Sequence, residues 1–118
     1  MLSRGLPHLV AEIDGTVAGF AYASPYRSRP AYRFTVEDSV YVHPDHAGQG
    51  IGRLLLTAVI DRCAKAGCKQ MIAVIGGPDN TASIALHEKL GFRHVGSLRS
   101  VGYKFNRWLD TLLMQRGL

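Results

Sequence analysis

The sequence predicts a single mixed α/β domain, and three observations carry that prediction. Asp14-Gly15 separates two strand-like stretches, which is a strong β-hairpin signal because both residues tolerate positive φ. Apolar residues recur at helical spacing from Ile51 to Ala66, and strands and helices then alternate along the chain. At 118 residues the chain is near the commonest domain size, so we expect residues 1–118 to form one domain around one core.

The first half of the chain predicts three strands. The hairpin consists of His8 to Ile13 and Thr16 to Ser24. A loop from Pro25 to Arg33 leads to Phe34 to Val42, which is rich in β-branched and aromatic residues and therefore predicts a third strand. His43-Pro44 ends that strand.

The first predicted helix begins near Ile51, and Gly67 stands where a C-terminal cap glycine belongs. Its periodic apolar residues are Ile51, Leu54, Leu55, Ala58, Val59, Cys63 and Ala66. The two cysteines, Cys63 and Cys68, are interpreted as core or helix-end residues.

The second half predicts a short strand, a helix and two closing strands. Gln70 to Ile75 is an apolar strand, which Gly76-Gly77-Pro78 interrupts. Asn80 is a candidate N-cap for the second helix, which should end before Gly91. The closing strands are Phe92 to Leu98 and Trp108 to Gln115, with Gly102 to Arg107 as the link between them.

Composition narrows the class of protein. The apolar fraction of 47% and the charged fraction of 19% are those of a globular protein, and no apolar stretch reaches membrane length. The net charge of +5 comes from scattered basic residues without an aromatic-basic run, which argues against nucleic acid. The N-terminus lacks the apolar core of a signal peptide, so we expect a cytoplasmic protein with no membrane partner.

Glycines at 48, 50 and 52 lie between the third strand and the first helix. Such a turn lets backbone N–H groups approach an anion at the positive end of the helix, although a tight connection without a ligand is an equal alternative. The P-loop is excluded because no Lys-Ser/Thr pair follows Gly52. The dinucleotide fingerprint is excluded by its different glycine spacing.

Two blocks in the right order resemble the GNAT family of N-acetyltransferases. They are Val40-Tyr41-Val42-His43-Pro44 with Gly48-Gln49-Gly50-Ile51-Gly52, and Asn80 through Ala85-Leu86-His87-Glu88-Lys89-Leu90-Gly91-Phe92. Arg33-Phe34-Thr35-Val36-Glu37 and Gly102-Tyr103-Lys104-Phe105 with Trp108-Leu109-Asp110 resemble its phosphinothricin and methionine sulfoximine acetyltransferase branch. The resemblance covers nearly the whole chain and implies the acyl-CoA N-acyltransferase fold.

The resemblance implies that acetyl-CoA is the co-substrate, and we expect no metal. The strand at Val40, Tyr41 and Val42 would separate from its neighbour and offer backbone groups to the pantetheine arm. The turn would bind the pyrophosphate through Gly48, Gln49, Gly50, Ile51, Gly52 and Arg53. Asn80 would contact the pantetheine or serve only as the N-cap. Ala47 departs from the Arg or Gln that usually opens this turn, which should weaken the affinity for the cofactor.

The resemblance also supplies candidate catalytic residues. Glu37 lies in an otherwise apolar and hydroxylic strand, where partial burial would raise its pKa toward that of a general base; the alternative is a solvent-facing or salt-bridged side chain. His87 occupies the place of the residue that protonates the CoA thiolate, or else is structural. A backbone N–H of Tyr41 or Val42 would polarise the thioester carbonyl.

The acceptor site is expected at Arg27, Ser28 and Arg29 in the loop, with Glu37, Asp38 and Ser39 as its floor. An arginine there could clamp the carboxylate of an amino-acid-like amine, or the loop is simply solvated. Tyr26, Tyr32 and Trp108 either line this pocket or pack in the core, and Trp108 favours the core.

Family members begin with a strand and two helices that Met1 to Pro7 cannot supply, so the chain looks N-terminally truncated. The exposed apolar surface that would result predicts a homodimer. The predicted function is direct acetyl transfer to a phosphinothricin-like or methionine sulfoximine-like small-molecule amine. The alternatives are transfer to another amine, such as a peptide N-terminus or a polyamine, and acyl-CoA binding without catalysis.

Overall fold

The computed structural model describes residues 5–76 and 80–118, which form a six-stranded mixed sheet with two α-helices. The strands are β1 (His8–Ile13), β2 (Thr16–Pro25), β3 (Thr35–Val42), β4 (Gln70–Gly76), β5 (Arg93–Lys104) and β6 (Arg107–Gly117). The helices are α1 (Ile51–Lys65) and α2 (Thr81–Lys89), with short 3-10 turns at Pro30–Tyr32 and Pro44–His46. The mixed α/β architecture is the one that the sequence predicts.

The strand order is β1-β2-β3-β4-β6-β5, and each described pair is antiparallel except β3 with β4. Helix α1 makes the crossover between the two parallel strands, as a parallel pair requires. Asp14 and Gly15 both have positive φ, at 50° and 80°, so the predicted hairpin turn is confirmed. Neither helix in the described ranges is long and apolar enough to cross a bilayer.

Helix α1 buries its apolar face against β1, β2 and β3. The helix ends as predicted, with Gly67 at a φ of 96°. The periodic residues that predict this helix are not all buried: Leu54 is 68% exposed, whereas Leu56 and Ile60, which lie outside that set, are buried. The apolar arc of this helix is wider than the surface that the sheet covers, so periodicity alone does not show which edge of the arc is solvated.

The predicted link from Gly102 to Arg107 is wrong. Strand β5 continues to Lys104 and β6 begins at Arg107, so only Phe105 and Asn106 form the turn, with φ of 54° and 58°. Two successive positive φ values are typical of the two-residue hairpin turn whose twist matches its strands. The core position favoured for Trp108 is also wrong, since its side chain is 65% exposed and its ring lies 4.9 Å from that of Tyr103.

Gly76, the first residue of the predicted break at Gly76-Gly77-Pro78, is the last residue of β4. The rest of the predicted break lies outside the described residues. Helix α2 ends before Gly91 as predicted. The core lies between the sheet and the two helices; its largest fully buried side chains are Leu56, Met71, Met114, Val36, Val59, Cys63 and Cys68.

Gly19 on β2 lies against β3 with no room for a side chain. A Cβ added there would lie 2.6 Å from the backbone oxygen of Tyr41. This oxygen cannot move away, because β3 is held in place by its pairing with β2. Gly19→Ala is therefore expected to lower the free energy of unfolding by about 1–3 kcal/mol, the usual cost of overpacking. Urea denaturation measures this loss. Gly96→Ala is the matched control, because nothing lies within 4 Å of the added carbon; equal midpoints for the two variants would contradict the prediction.

Candidate active site

The sheet opens between its two parallel strands. Strands β3 and β4 pair only from Thr35 with Gln70 to Asp38 with Ala73, although β3 continues to Val42 and β4 to Gly76. On its other side β3 remains paired with β2 up to Val42. The edge of β3 from Ser39 onward therefore faces a gap, as the sequence resemblance implies, and its backbone groups are available to an extended ligand.

Two cavities follow this gap on the helical side of the sheet. The first, of about 300 Å³, is lined by Asp38, Ser39, Val40, Tyr41, Ala73, Val74, Ile75, Gly76, Asn80, Ser83 and His87. The second, of about 580 Å³, is lined by Val40, Val42, His46, Ala47, Gly48, Gly50, Ile51, Gly52, Arg53, Ala82, Ser83, Ala85, Leu86 and Lys89. Val40 and Ser83 line both. Together they form a groove, called here the helix-side groove. Its outer end is the second cavity at the glycine turn, and its inner end is the first cavity, called the inner cavity, at the gap in the sheet.

The glycine turn forms the outer end of the helix-side groove. Gly48 and Gly50 have φ of 79° and 80°, and Gly50 is the N-cap of α1. Nothing lies within 4 Å of a Cβ at either position, so the open space and the backbone N–H groups of the helix start suit an anion. Arg53 and Lys89 also line this part of the groove and add positive charge.

Three further predicted contacts lie around this turn. The Gln49 side chain accepts a 3.3 Å hydrogen bond from Nδ1 of His46, so it is held beside the turn and is not among the lining residues. Ala47 lines the groove with its short side chain. Asn80 occupies the N-cap position of α2 without a side-chain capping bond, and it lines the inner cavity.

His87 is buried at the inner end of the groove. Its Nδ1 donates to the carbonyl of Ser83 at 2.7 Å, and its Nε2 lies 2.9 Å from Oδ1 of Asp38. The Phe92 ring packs edge-on against the imidazole with a centroid distance of 4.8 Å. Burial opposes the charged imidazolium, but Asp38 and the Ser83 carbonyl outweigh that effect and raise the pKa of His87 above its usual value.

Glu37 lies on the other face of the sheet. Side chains alternate along a strand, and β3 directs Val36, Asp38 and Val40 toward the helices, so Glu37 points the opposite way together with Tyr41. Partial burial and the neighbouring Asp38 carboxylate raise the pKa of Glu37, and Arg27 partly opposes this rise. Glu37 is thus neither fully solvated nor buried, which suits a general base.

The expected acceptor residues are divided between the exposed loop and strand β3. Arg27, Ser28 and Arg29 are exposed in the loop between β2 and β3, and Arg27 stacks on the Tyr26 ring at 4.6 Å. Glu37 and Ser39 lie on the face opposite the helices, whereas Asp38 faces inward and contacts His87. Adjacent strand residues point to opposite faces, so the Asp38 side chain is separated from those of Glu37 and Ser39, although Asp38 and Ser39 both line the inner cavity. A floor made of all three residues stays a prediction.

The tyrosines of this loop do not pack in the core. Tyr32 is 44% exposed, and its ring lies 6.2 Å from that of Tyr26. Cys63 and Cys68 are buried free thiols, as the sequence predicts. Burial and the neighbouring Cys68 raise the pKa of Cys63 to about 12, so it is not a reactive thiolate. Among the described residues, no group of three or more His, Cys, Asp or Glu could hold a metal ion.

The sequence interpretation missed the roles of Asp38 and Ser83 around His87. The inward orientation of Asp38 could have been predicted, because side chains alternate along a strand and residue 38 shares the face of the inward-facing Val36 and Val40. Its partner was not deducible, since Asp38 and His87 are 49 positions apart. Ser83 contributes a backbone carbonyl, which no side-chain pattern reveals.

Comparison with known proteins identifies relatives of this arrangement. The model of the acetyltransferase (GNAT) family matches residues 2–92. The chain is 57% identical over its full length to phosphinothricin N-acetyltransferase of Alcaligenes faecalis, and covers 60% of that protein. It is 48% identical over 94% of its length to the L-methionine sulfoximine/L-methionine sulfone acetyltransferase of Salmonella typhimurium, of which it covers 64%. The chain thus spans less than two thirds of these curated relatives.

A solved structure agrees with the sequence relatives. It is that of a GNAT superfamily phosphinothricin acetyltransferase from Sinorhizobium meliloti in complex with acetyl-CoA. Its TM-score against this chain is 0.91 at 51% sequence identity, and the match covers 97% of this chain and 62% of that one. The expected fold is therefore confirmed.

Proposed function

The chain belongs to the acetyltransferase (GNAT) family, and from that premise we propose that it transfers the acetyl group of acetyl-CoA to the primary amine of a small amino-acid-like molecule. The observation that carries this proposal is the gap between β3 and β4. It joins the helix-side groove, which contains the glycine turn and His87, to the opposite face, where Glu37 lies. A thioester and an amine can thus approach the gap from opposite sides of the sheet.

On the helix side, the residues fit a pyrophosphate and an extended thiol arm. The N–H groups of the turn from Gly48 to Arg53 would bind the pyrophosphate, and the open edge of β3 would pair with the arm. Asn80 would contact the arm where it enters the inner cavity. The Ala47 side chain cannot contribute a hydrogen bond there, so the N–H groups, Arg53 and Lys89 would supply the attraction.

On the opposite face, Glu37 would accept a proton from the substrate ammonium, directly or through water. The amine nitrogen then bonds to the acetyl carbonyl carbon, the carbon–sulfur bond breaks, and the sulfur leaves with the bonding electrons. The backbone N–H of Val42 would polarise the carbonyl, because it lies on the open edge of β3, whereas that of Tyr41 points toward β2. The nitrogen loses two protons in all, the first to Glu37 and the second after the carbon–nitrogen bond has formed, and both pass to solvent. His87 gives one proton to the thiolate and regains one from solvent, so the net release is one proton.

The proposed acceptor is of the phosphinothricin or methionine sulfoximine type, as the names of the relatives suggest. Such molecules carry a carboxylate beside the reacting amine. Arg27 lies near Glu37, where its positive charge opposes the rise in the pKa of that residue. Arg27 could therefore bind the carboxylate while Glu37 receives the proton, with Ser28, Arg29 and Ser39 at the border of the site.

The test is a thiol-release assay with acetyl-CoA and a panel of amines. Phosphinothricin, methionine sulfoximine and methionine sulfone are expected to release CoA far faster than a polyamine or a peptide N-terminus. Faster release with a polyamine or peptide would reassign the substrate. Calorimetric binding of acetyl-CoA without turnover of any amine would instead support a non-catalytic binding protein.

We further propose that the protein is a homodimer. The β5–β6 hairpin exposes Tyr103, Phe105 and Trp108 at 60%, 80% and 65%, which together form an apolar patch typical of an interface. The double variant Phe105→Ser, Trp108→Ser is expected to convert the dimer to a monomer in light scattering at micromolar concentration. Val10→Ser is the control, since Val10 is also exposed but lies on β1 at the far edge of the sheet. A monomeric parent chain would refute the proposal.

The remaining partner proposals follow from charge and thiol state. We propose that the net charge of +5 attracts the polyanionic cofactor. We also propose that the protein binds neither nucleic acid nor a membrane. The two free buried thiols suit a reducing compartment, so we place the protein in the cytoplasm.

A further inference from the structure

We propose that Asp38 is a positioning residue, which fixes the His87 ring and holds it in the proton-carrying state needed when the thiolate leaves. This inference rests on the proposed acetyl transfer. It gives a function to a residue that the sequence resemblance assigned only to the floor of the acceptor site.

The contacts of His87 fix its ring in one orientation. Both ring nitrogens are hydrogen-bonded, with Nδ1 to the Ser83 carbonyl at 2.7 Å and Nε2 to Asp38 at 2.9 Å. The side chains of His87 and Asp38 are 3% and 2% exposed, and the Phe92 ring blocks one side of the imidazole. The ring therefore cannot flip without breaking two buried hydrogen bonds.

The same contacts decide the charge state. A carbonyl oxygen can only accept, so Nδ1 carries a hydrogen, and a carboxylate at Nε2 favours a second one. Two donating nitrogens make an imidazolium. The pair as a whole is neutral, which allows it to be buried, and the raised pKa of His87 agrees with this state.

Asp38 depends on His87 in the same way. Its Oδ2 is buried and has no hydrogen-bond partner among the described residues, so His87 is the group that compensates the carboxylate. Two titratable groups lie around the pair: the Glu37 carboxylate, the neighbour of Asp38 on β3, and the Cys63 thiol of α1. Glu37 interacts with Asp38, whereas the groups that contact the ring besides Asp38, Phe92 and the Ser83 carbonyl, are uncharged. Asp38 is thus the charge that sets the protonation of the ring.

The pair also lies where the proton is needed. Asp38 and His87 both line the inner cavity, at the level where β3 and β4 separate. When the carbon–sulfur bond breaks, the sulfur takes the Nε2 proton that His87 otherwise donates to Asp38, which leaves neutral His87 with its Nδ1 hydrogen beside ionised Asp38. A proton from solvent then restores the imidazolium. Above the raised pKa of His87 this proton is missing, so the rate should fall as the pH rises through that value.

The variant that tests this is Asp38→Asn, which keeps the size and hydrogen bonding of the side chain but removes its charge. Nuclear magnetic resonance of the His87 ring protons as a function of pH is expected to show a raised pKa in the parent chain and a clearly lowered one in the variant. The kcat at neutral pH should fall about 10²-fold, the lower range for general acid catalysis, with an unchanged KM for acetyl-CoA. The alkaline limb of the pH profile should move to lower pH.

Two further variants separate positioning from general damage. Asp38→Glu restores the carboxylate and is expected to recover part of the kcat and the raised pKa. Glu88 follows His87 on α2, and its exposed carboxylate lies 3.1 Å from Nε2 of His94. Glu88→Gln removes this carboxylate and should change neither the kcat nor the pKa of His87. Circular dichroism confirms that each variant is folded.

A parent His87 that titrates at or below its ordinary pKa would overturn the inference without any variant. An unchanged pKa and pH profile in a folded Asp38→Asn protein would overturn it as well. Because the titration needs no substrate, it still tests the Asp38–His87 pair if the amine panel fails; in that case the proposed function falls and the pair is structural.

Discussion

Glu37→Gln is expected to lower kcat/KM for acetyl transfer by about 10²- to 10⁴-fold, the contribution typical of a positioned general base. The amide has nearly the same shape as the carboxylate but cannot accept the ammonium proton. Because Glu37 is only half-buried and points away from the helices, the substitution should leave the fold and the affinity for acetyl-CoA unchanged. Steady-state kinetics with the best amine of the panel measures the loss.

The pH profile identifies Glu37 as the group responsible. Burial and the Asp38 carboxylate raise the pKa of Glu37, so its base form is lost at a higher pH than in an ordinary glutamate. The parent enzyme should therefore lose kcat/KM as the pH falls through that raised value, and the variant should lack this acid limb. Glu12→Gln, an exposed glutamate on β1, is the control. An acid limb that persists in the Glu37 variant would assign the base to another group.

Gly52→Leu is expected to weaken acetyl-CoA binding with little effect on folding. Gly52 lines the helix-side groove, and a Cβ there would already lie 3.3 Å from Cδ2 of Leu86 and 3.5 Å from Cγ2 of Val42. The rest of a leucine side chain would have to enter the groove. A steric cost of about 1–3 kcal/mol corresponds to a roughly 5- to 150-fold higher Kd. Calorimetry with acetyl-CoA measures it.

The fold should tolerate this change because residue 52 lies in the first turn of α1, where leucine is a better helix former than glycine. Gly96→Leu on β5 is the control, since a Cβ there has nothing within 4 Å. Equal affinities in both variants would place the cofactor outside this groove. A lower denaturation midpoint in Gly52→Leu alone would mean that its binding loss reflects damage to the fold.

Local signals accounted for most of the secondary structure. The turn at Asp14-Gly15 and the end of α1 at Gly67 both depend on positive φ, which only a few residue types adopt readily. The wrong predictions arose where the local sequence is compatible with more than one structure. Phe105-Asn106 makes a turn without a strong signal, and the exposed Trp108 is an apolar residue whose burial depends on what packs against it.

The sequence by itself determined the alternation of strands and helices and the glycine turn at the start of α1, because those features depend on φ preferences and on periodicity within a few residues. Only the tertiary structure decided that Glu37 and His87 lie on opposite sides of β3, and that Asp38 is the partner of His87. The physical reason is that a contact across 49 residues depends on how β3 and α2 pack, and no local pattern records that packing. The gap between β3 and β4 likewise exists only once both strands are in the sheet.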